Sequence, residues 1–343
     1  MTRTRIAIVG LGMAVTPHAK GLLDLVDTVE VAAAFSPSAA RRAAFADRFP
    51  FPLVENLDAI LADRSIEAVA VFTPASTHRD IGLACAAAGK HVLMEKPVDV
   101  TTARAADLVA GCRAAGVRLG IVLQHRFRPA GMRLAALLAE GALGAILGCS
   151  TTIRLWRPQS YYDEPGRGTL ARDGGGVLMS QAIHTLDLML SFAGPVGEVT
   201  GYVTTTPVHR MDTEDMVTAA ARFASGAIGV IEATTAAYPG FPEEIALACE
   251  RGTAVLRGTE LLVQWQDGRR EAIAPDLSSG GTGADPMAFP HDYHRAVMAD
   301  FLAAVREGRD PKVTGEEALK VHRLIDALIA AGRTGAPVRV ASG

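Results

Sequence analysis

The sequence predicts an α/β protein with two domains: a parallel-sheet domain over residues 1–124, and an α+β domain with a large, mostly antiparallel open sheet over residues 125–343. The length of 343 residues exceeds what one hydrophobic core usually organises. In the first part, short apolar runs alternate with longer helical segments, which is the pattern of βαβ units. After Gln124, strand-like runs follow one another through short turns, which is typical of antiparallel sheets with helices on one face.

Each predicted element rests on a local pattern. Apolar runs predict strands over residues 6–9, 29–35, 68–72, 91–94 and 119–123 of the first domain. In the second domain they predict strands over residues 146–155, 198–205, 216–223, 227–235, 245–249, 254–257 and 261–265. A helix over residues 79–88 ends at Gly89, the usual left-handed cap, and a closing helix over residues 315–331 carries an apolar stripe. Residues 278–286, rich in glycine and serine, are predicted to form a loop.

Composition and charge exclude several classes of protein. Hydrophobic residues make up 49% and charged residues 21%, which predicts folded cores, and the net charge of −3 gives no electrostatic basis for binding nucleic acid. The apolar runs are far shorter than the roughly 20 residues of a membrane span, so we expect a soluble protein with no membrane partner. The four cysteines lack metal-type spacing, and the first strand begins too early to leave room for a signal peptide. We therefore expect a cytoplasmic protein.

The turn after the first strand is a candidate dinucleotide site. Gly10 allows a tight turn, and Gly12 lets the backbone approach a pyrophosphate at the N-terminus of the following helix. Val15 stands where the third glycine of the usual fingerprint would be, so the motif is incomplete. The candidate cofactor-binding residues of this turn are Gly10, Leu11, Gly12, Met13 and Ala14.

The end of the second strand bears on the choice between NAD and NADP. Ser36 stands where NAD-preferring proteins usually carry an acid that binds the ribose hydroxyls. Without that carboxylate, Ser36 and Ser38 with Arg41 or Arg42 are expected to accept a 2′-phosphate, which gives NADP a slight preference. The alternative is that these arginines only line a solvated helix face. Further candidate cofactor contacts follow the third core strand at Thr73, Pro74 and His78, although His78 is also suited to begin a helix.

The segment His91 to Pro97 ends an apolar strand in Glu95 and Lys96. Ligands of open α/β sheets bind outside the carboxyl ends of the strands, where a partly desolvated ammonium is useful for proton transfer. The Lys96-Pro97 bond is a candidate cis bond that would fix the turn. Read alone, the segment is equally typical of a surface lysine after an edge strand.

The second half contains a polar stripe on an apolar helix. Three glycines, residues 174–176, precede it, and helical spacing brings Ser180, His184, Asp187 and Ser191 to one face with Gln181 beside them. Buried polar groups need partners, so the stripe faces either a polar cavity or internal hydrogen bonds, for example between His184 and Asp187. The glycines favour close approach to a ligand.

Taken together, these motifs resemble the Gfo/Idh/MocA family of NAD(P)-dependent oxidoreductases over essentially the whole chain. The resemblance is carried by GLGMAVTPH (10–18), TPASTH (73–78), GKHVLMEKP (89–97) and GGGVLMSQAIHTLD (174–187), with VTGEEAL (313–319) in support. It implies an N-terminal Rossmann domain and a C-terminal domain whose open sheet often builds a homodimer or homotetramer. It also implies proton transfer and substrate orientation by Lys96 and His184, with Glu95 and Lys96 near the cofactor. Ser180 replaces a carboxylate often found in the family.

The resulting hypothesis is hydride transfer between a nicotinamide and a sugar, polyol or related hydroxy or keto substrate. Lys96 is expected to hydrogen-bond the reacting oxygen, with His184 as general acid or base, so that the two act together on one substrate. The proposed substrate-binding residues are Lys96, Arg154, Tyr161, Arg167, Ser180, Gln181 and His184, with Arg157 and Tyr162 as further candidates. Two alternatives are weaker: a cofactor-sensing regulatory protein without turnover, and a metal enzyme built on His291 and His294. No metal is expected.

Overall fold

The computed structural model describes residues 3–276 and 290–342. These residues form two compact units: one contains residues 3–124 together with His291–Leu319, and the other contains the remaining described residues. The predicted domain boundary after Gln124 assigned His291–Leu319 to the second domain, whereas these residues pack with the first unit. The division into domains at Gln124 stays a prediction. The predicted loop over residues 278–286 lies outside the described residues.

The first unit is built on a six-stranded parallel sheet. Its strands are β1 (Thr4–Val9), β2 (Val29–Phe35), β3 (Leu53–Val54), β4 (Ala68–Val71), β5 (His91–Met94) and β6 (Leu119–Ile121), and its first helices are α1 (Val15–Asp24), α2 (Ala39–Ala46), α3 (Leu57–Ala62), α4 (His78–Ala87) and α5 (Thr102–Ala114). The strand order β3-β2-β1-β4-β5-β6 reverses at β1, as in Rossmann dinucleotide-binding sheets. The predicted fold class of this part is confirmed.

The second unit is built on a nine-stranded sheet in the order β14-β13-β12-β11-β7-β10-β9-β8-β15. Its strands are β7 (Ile146–Arg154), β8 (Val196–Thr204), β9 (Met216–Phe223), β10 (Ile228–Thr234), β11 (Glu244–Cys249), β12 (Gly252–Arg257), β13 (Glu260–Trp265), β14 (Arg270–Ile273) and β15 (Val338–Arg339). All pairings are antiparallel except that of β7 with β10, which confirms the prediction of a mostly antiparallel sheet.

Helices cover one face of this sheet. Helix α6 (Pro129–Ala139) packs on β12 and β13, and α9 (Ile183–Ala193) packs on β7. The short helices α7 (Gln159–Tyr162) and α8 (Leu170–Asp173) lie between β7 and α9 in the chain, which closes with α10 (Asp292–Glu307) of the first unit and α11 (Gly315–Thr334). Cys149, Thr151 and Ile153 of β7 lie beneath α9 and are buried at every second position. Near the end of α11, Gly332 lies against Val203 of β8.

The other, open face of the sheet carries a row of mostly apolar side chains between polar and charged ones such as Arg154 and Glu232. Strand register aligns one row of outward residues across seven strands, Thr200, Ala220, Val230, Ser150, Ala246, Val255 and Leu262. On the same face Ile228 is 62% exposed and Tyr202 81% exposed. Exposed apolar side chains grouped in this way are typical of a surface that meets another protein.

Some boundaries differ from the sequence prediction. Helix α1 begins at Val15 because Met13 and Ala14 form a turn. The helix predicted after the three glycines begins as one π-helical turn, Leu178–Ala182, before α9 continues. No helix within residues 3–276 and 290–342 is both long and apolar enough to cross a membrane.

Candidate cofactor and substrate sites

The turn after β1 depends on a glycine at position 10. Gly10 has φ of +100°, and a Cβ built there would lie 2.6 Å from the carbonyl carbon of Phe72 and 2.8 Å from the amide nitrogen of Thr73. Only glycine fits a left-handed conformation against this backbone. At Gly12, by contrast, a Cβ would meet no atom within 4 Å. Gly12 therefore borders open space beside the start of α1, where the helix dipole favours an anion.

The end of β2 combines a buried serine with two arginines. Ser36 is 2% exposed, and its Oγ accepts a hydrogen bond of 3.4 Å from the Ser38 amide. The Oγ of Ser38 in turn caps α2 through the amide of Arg41, whose side chain is exposed. Arg42 Nη1 donates to the Ser36 carbonyl oxygen at 2.7 Å. The structure thus gives Ser36 and Ser38 local backbone contacts and leaves the positive charges of the two arginines beside this strand end.

His78 joins two loops of the first unit. It is 1% exposed, and its ring nitrogens lie 2.8 Å from the carbonyl oxygen of Thr73 and 2.9 Å from that of Pro97. Pro74, next to Thr73, is exposed. Because both nitrogens of His78 face backbone carbonyls, the ring is suited to fix the loop after β4 and the turn at Pro97. The contact with a cofactor that the sequence suggested for His78 is not what this arrangement favours.

The end of β5 presents Lys96 beside a buried carboxylate. The Lys96-Pro97 bond is cis, and Lys96 is half-buried. Glu95, which the sequence assigned to the cofactor, points inward. Its Oε1 lies 2.8 Å from His18 Nε2, and its Oε2 accepts a hydrogen bond of 2.9 Å from the backbone amide of Lys96. Burial alone would raise the pKa of Glu95, but the His18 hydrogen bond and the charges of His18 and Lys96 lower it below its usual value.

His18 lies at the centre of this cluster, and sequence reasoning did not single it out. Its ring stacks on Phe72 with centroids 3.9 Å apart and meets the edge of His294 at 4.9 Å. Burial lowers the pKa of His294 to about 3, helped by the nearby charge of His18. Imidazole and carboxylate groups also bind metals; here the closest atoms, His18 Nε2 and Glu95 Oε1, are hydrogen-bonded to each other. His291, the other histidine weighed as a metal ligand, pairs instead with Asp24.

In the second unit the polar stripe is the accessible part of a buried helix. From Gly175 to Leu190 every residue is buried except Ser180, Gln181 and His184, which are half-buried. These side chains lie at and just after the π-helical turn Leu178–Ala182, and such turns occur frequently at functional sites. The predicted stripe is therefore reduced to a three-residue polar strip, Ser180, Gln181 and His184.

Tyr161 connects two of the predicted substrate residues. Its hydroxyl accepts a hydrogen bond of 3.3 Å from Gln181 Nε2, and the guanidinium carbon of Arg167 lies 4.3 Å from the centroid of the Tyr161 ring. Arg167 also forms a short ion pair with Glu164, which Arg172 contacts as well at 3.0 Å. Tyr161, Arg167 and Gln181 thus form one cluster, and the charge of Arg167 is compensated by the neighbouring Glu164.

The other members of the predicted stripe make internal contacts. Asp187 is 1% exposed and accepts two hydrogen bonds from Arg126, at 2.6 and 2.7 Å. Ser191 Oγ donates to the carbonyl oxygen of Leu188 at 2.7 Å. Asp187 therefore has the internal partner that the alternative reading required, but the partner is an arginine.

His125 is a second residue that sequence reasoning missed. Its ring stacks on that of His184 with centroids 4.9 Å apart. Arg128 Nη2 lies 2.7 Å from His125 Nε2, and because a guanidinium only donates, Nε2 must be the acceptor. The available signal was the run Gln124-His-Arg-Phe-Arg-Pro129 directly after the last strand of the parallel sheet.

Two further predictions need correction. Arg154 lies on the open face of the sheet, bidentate with Glu232 at 2.6 and 2.7 Å, and α9 packs on the opposite face. It thus lies apart from the polar strip. The three glycines serve the fold: a Cβ at Gly176 would lie 1.8 Å from the Glu214 carbonyl oxygen, Gly174 ends α8 with φ of +78°, and Gly175 lies against Met179. Contacts within the protein at Gly175 and Gly176 and a left-handed backbone at Gly174 explain these glycines without a ligand.

Known proteins resemble both parts of the chain. The family profile described as "Oxidoreductase family, NAD-binding Rossmann fold" matches residues 4–122, and the one described as "GFO/IDH/MocA C-terminal domain" matches residues 132–255. The chain is 30% identical over 324 residues to D-xylose 1-dehydrogenase (NADP(+)) 2 of Haloferax volcanii, covering 91% of this chain and 92% of that protein. It is 26% identical to D-apiose dehydrogenase of Paraburkholderia graminis, covering 99% and 90%. The solved WlbA dehydrogenase from Bordetella pertussis, in complex with NADH and UDP-GlcNAcA, aligns with a TM-score of 0.84 and 27% identity over 100% of both chains.

The fold, the glycine turn and these matches define an NAD(P)-dependent oxidoreductase. The chain belongs to the Gfo/Idh/MocA family, as the resemblance predicted. The alternative of a cofactor-sensing protein without turnover finds no support in these relatives.

The contrast between Gly10 and Gly12 gives a first testable prediction. Gly10→Ala is expected to lower the free energy of unfolding by about 2 kcal/mol or more, because its methyl group overlaps the backbone at Phe72. Gly12→Ala is expected to fold normally and to lose the thermal stabilisation that NAD or NADP gives the wild type. Thermal unfolding with and without each cofactor measures both effects. Normal cofactor stabilisation of Gly12→Ala would remove this turn from the cofactor site.

Proposed function

We propose that the enzyme transfers a hydride between NADP and a hydroxyl-bearing carbon of a neutral sugar or polyol. The observation that carries the proposal is the half-buried Lys96, which ends β5 at the same carboxyl edge of the sheet as the glycine turn after β1. Lys96 hydrogen-bonds the reacting oxygen and His184 exchanges its proton as general acid or base. The cofactor, when bound, supplies the redox chemistry, while these side chains orient the substrate.

Ser180 and Gln181 orient the substrate in this proposal. The hydroxyl of Ser180 stands where family members often carry a carboxylate, so it contributes hydrogen bonds without negative charge. Gln181 and Tyr161 add an amide and a phenol, groups that suit the hydroxyls of a polyol. Proton exchange therefore rests on Lys96 and His184 alone.

The charges near the polar strip favour a neutral substrate. Arg167 is paired with Glu164, and Arg154 is paired with Glu232 on the open face of the sheet. An anionic substrate would have to compete with those carboxylates for each guanidinium. The relatives named as D-xylose and D-apiose dehydrogenases support a sugar substrate. A panel of neutral sugars and polyols, set against sugar acids and nucleotide sugars and followed by nicotinamide absorbance, tests this choice.

The preference for NADP rests on Arg41 and Arg42. Both lie after Ser36, no acid occupies position 36, and Ser36 itself is buried, so the arginines are the groups that would bind a 2′-phosphate. The relative from Haloferax volcanii is named as NADP(+)-dependent. The cytoplasmic location expected from the sequence stays a prediction.

A homo-oligomer, as a dimer or tetramer, completes the proposal. The open face of the nine-stranded sheet exposes Val230 and Ile228 beside Ala220, and apolar side chains stabilise association when two copies bury them together.

The role of Lys96 predicts a selective loss of turnover. Lys96→Met keeps the apolar stem but removes the ammonium, and it is expected to lower kcat by about 100-fold or more while changing cofactor affinity little. Lys20→Met, an exposed lysine on α1, is the matched control. Steady-state kinetics and cofactor titration measure the two quantities. Turnover near the wild-type level in Lys96→Met would contradict the mechanism.

The cofactor proposal predicts a switch at position 36. Ser36→Asp is expected to raise the Kd for NADP relative to that for NAD by about 10-fold or more, because the carboxylate repels the 2′-phosphate. Ser36→Asn has nearly the same shape without the charge and should keep the wild-type ratio. Equal ratios in both variants would argue against phosphate binding at this strand end.

The assembly proposal predicts the effect of one charge on the open face. Val230 is 50% exposed, and Val230→Glu would bury a carboxylate in the proposed interface. The variant should therefore sediment as a monomer of 35.9 kDa. Leu23→Glu, at a 40% exposed position on α1, should keep the wild-type mass. A monomeric wild type, or an oligomeric Val230→Glu, would exclude this interface.

A further inference from the structure

A continuous series of contacts leads from the first unit's core to the residue proposed to contact substrate. The ring of Phe72, at the end of β4, stacks on His18 of α1 at 3.9 Å. His18 Nε2 and Glu95 Oε1 form a hydrogen bond of 2.8 Å, and Glu95 Oε2 accepts a hydrogen bond of 2.9 Å from the backbone amide of Lys96. The backbone at Lys96 is therefore held by a carboxylate that is itself held by a buried imidazole.

This arrangement costs stability, which argues against a purely structural role. His18 Nδ1 is buried and has no hydrogen-bond partner among the described residues. A buried polar nitrogen without a partner costs about 1–3 kcal/mol. A phenylalanine at position 18 would keep the stack on Phe72 without that cost, and a neutral apolar residue at 95 would avoid burying a charge. The polar pair is thus better explained by what it does for Lys96.

Several charged or titratable side chains lie around Glu95. The charged or titratable groups that act on it include His18 from α1, Lys96 from its own strand end, His78 from α4 and His294 from α10. His294 also faces His291. The pKa of Glu95 is lowered, so its carboxylate stays ionised at neutral pH and its charge acts directly on the Lys96 ammonium.

We infer that His18 and Glu95 are positioning residues for Lys96: the His18–Glu95 hydrogen bond fixes the end of β5 and sets a negative charge beside the reacting ammonium. The inference rests on the function proposed for Lys96. His294, which meets the ring of His18 edge-on, holds that imidazole in place. Neither His18 nor His294 is assigned a contact with substrate.

The decisive variants remove one feature at a time. His18→Phe keeps the ring stack and removes the hydrogen bond, and it should lower kcat by about 10- to 100-fold with little change in KM. His18→Gln restores a donor toward Glu95 and should recover most of that loss. Glu95→Gln keeps an acceptor for the Lys96 amide but removes the charge, and it should also lower kcat by about 10-fold or more with little change in KM.

Controls separate positioning from folding. His291→Gln breaks the exposed pair with Asp24 on the same helix as His294 and should leave kcat and its pH profile unchanged. A structural role alone would lower the melting temperature of His18→Phe without moving kcat or the pH profile. Unchanged kcat in folded His18→Phe, or unchanged kcat in folded Glu95→Gln, overturns the inference. Activity lost on dialysis against EDTA and restored by zinc would overturn it as well.

A double-mutant cycle distinguishes failure of this inference from failure of the proposed function. If His18 acts through Lys96, His18→Phe has no further effect on the residual activity of Lys96→Met. Wild-type turnover in Lys96→Met alone would refute the proposed function. A large effect of Lys96→Met combined with none of His18→Phe would refute only the positioning role.

Discussion

The close approach of the turn after β1 to the end of β4 fixes the geometry on which the cofactor end of the first unit depends. Gly10 has no Cβ because the backbone at Phe72 and Thr73 occupies that space. The turn therefore sends α1 over the end of β4, and the second turn of that helix brings His18 onto the ring of Phe72. From there one hydrogen bond reaches Glu95 and the next reaches Lys96. A constraint on one glycine is in this way connected, contact by contact, to the proposed reacting amine.

Local patterns in the sequence predict most of the fold, whereas they miss contacts between distant residues. Apolar runs identified the longer strands of both sheets, since a strand's pattern is a property of a few neighbouring residues, but they missed the short edge strands β3, β14 and β15. The pair of His18 and Glu95 joins positions 77 residues apart, and no local pattern marks either as the other's partner. The side of the sheet on which Arg154 lies follows from strand register, which the prediction of a strand does not specify. The glycines at 174–176 were noticed correctly, but their neighbour, the backbone at Glu214, comes from a distant strand end.

Charge compensation shapes the accessible part of the second unit. Asp187 is matched by Arg126 and Glu243 by Arg128, each through a close contact between side chains. Breaking such a pair leaves a buried charge uncompensated, so these groups are committed to the fold. Burial would raise the pKa of Glu243, yet the charge and hydrogen bond of Arg128 lower it, so the pair persists at neutral pH. Between Gly175 and Leu190, the half-buried side chains carry a hydroxyl, an amide and an imidazole, groups that recognise hydroxyls by hydrogen bonds.

The shape of the nine-stranded sheet favours association through its face rather than its edges. Its outermost strands are β14, with four residues, and β15, with two. Short edge strands offer few unpaired backbone groups, so they are poor templates for adding strands from a second molecule. The open face has the opposite character, because small side chains such as Ala220 and Ala246 alternate with Val230 and Val255 along one row. Small side chains let two sheets approach closely and bury apolar area over many strands at once. An oligomer that uses this face leaves the helical face of the same sheet, with α9 and its polar strip, outside the contact.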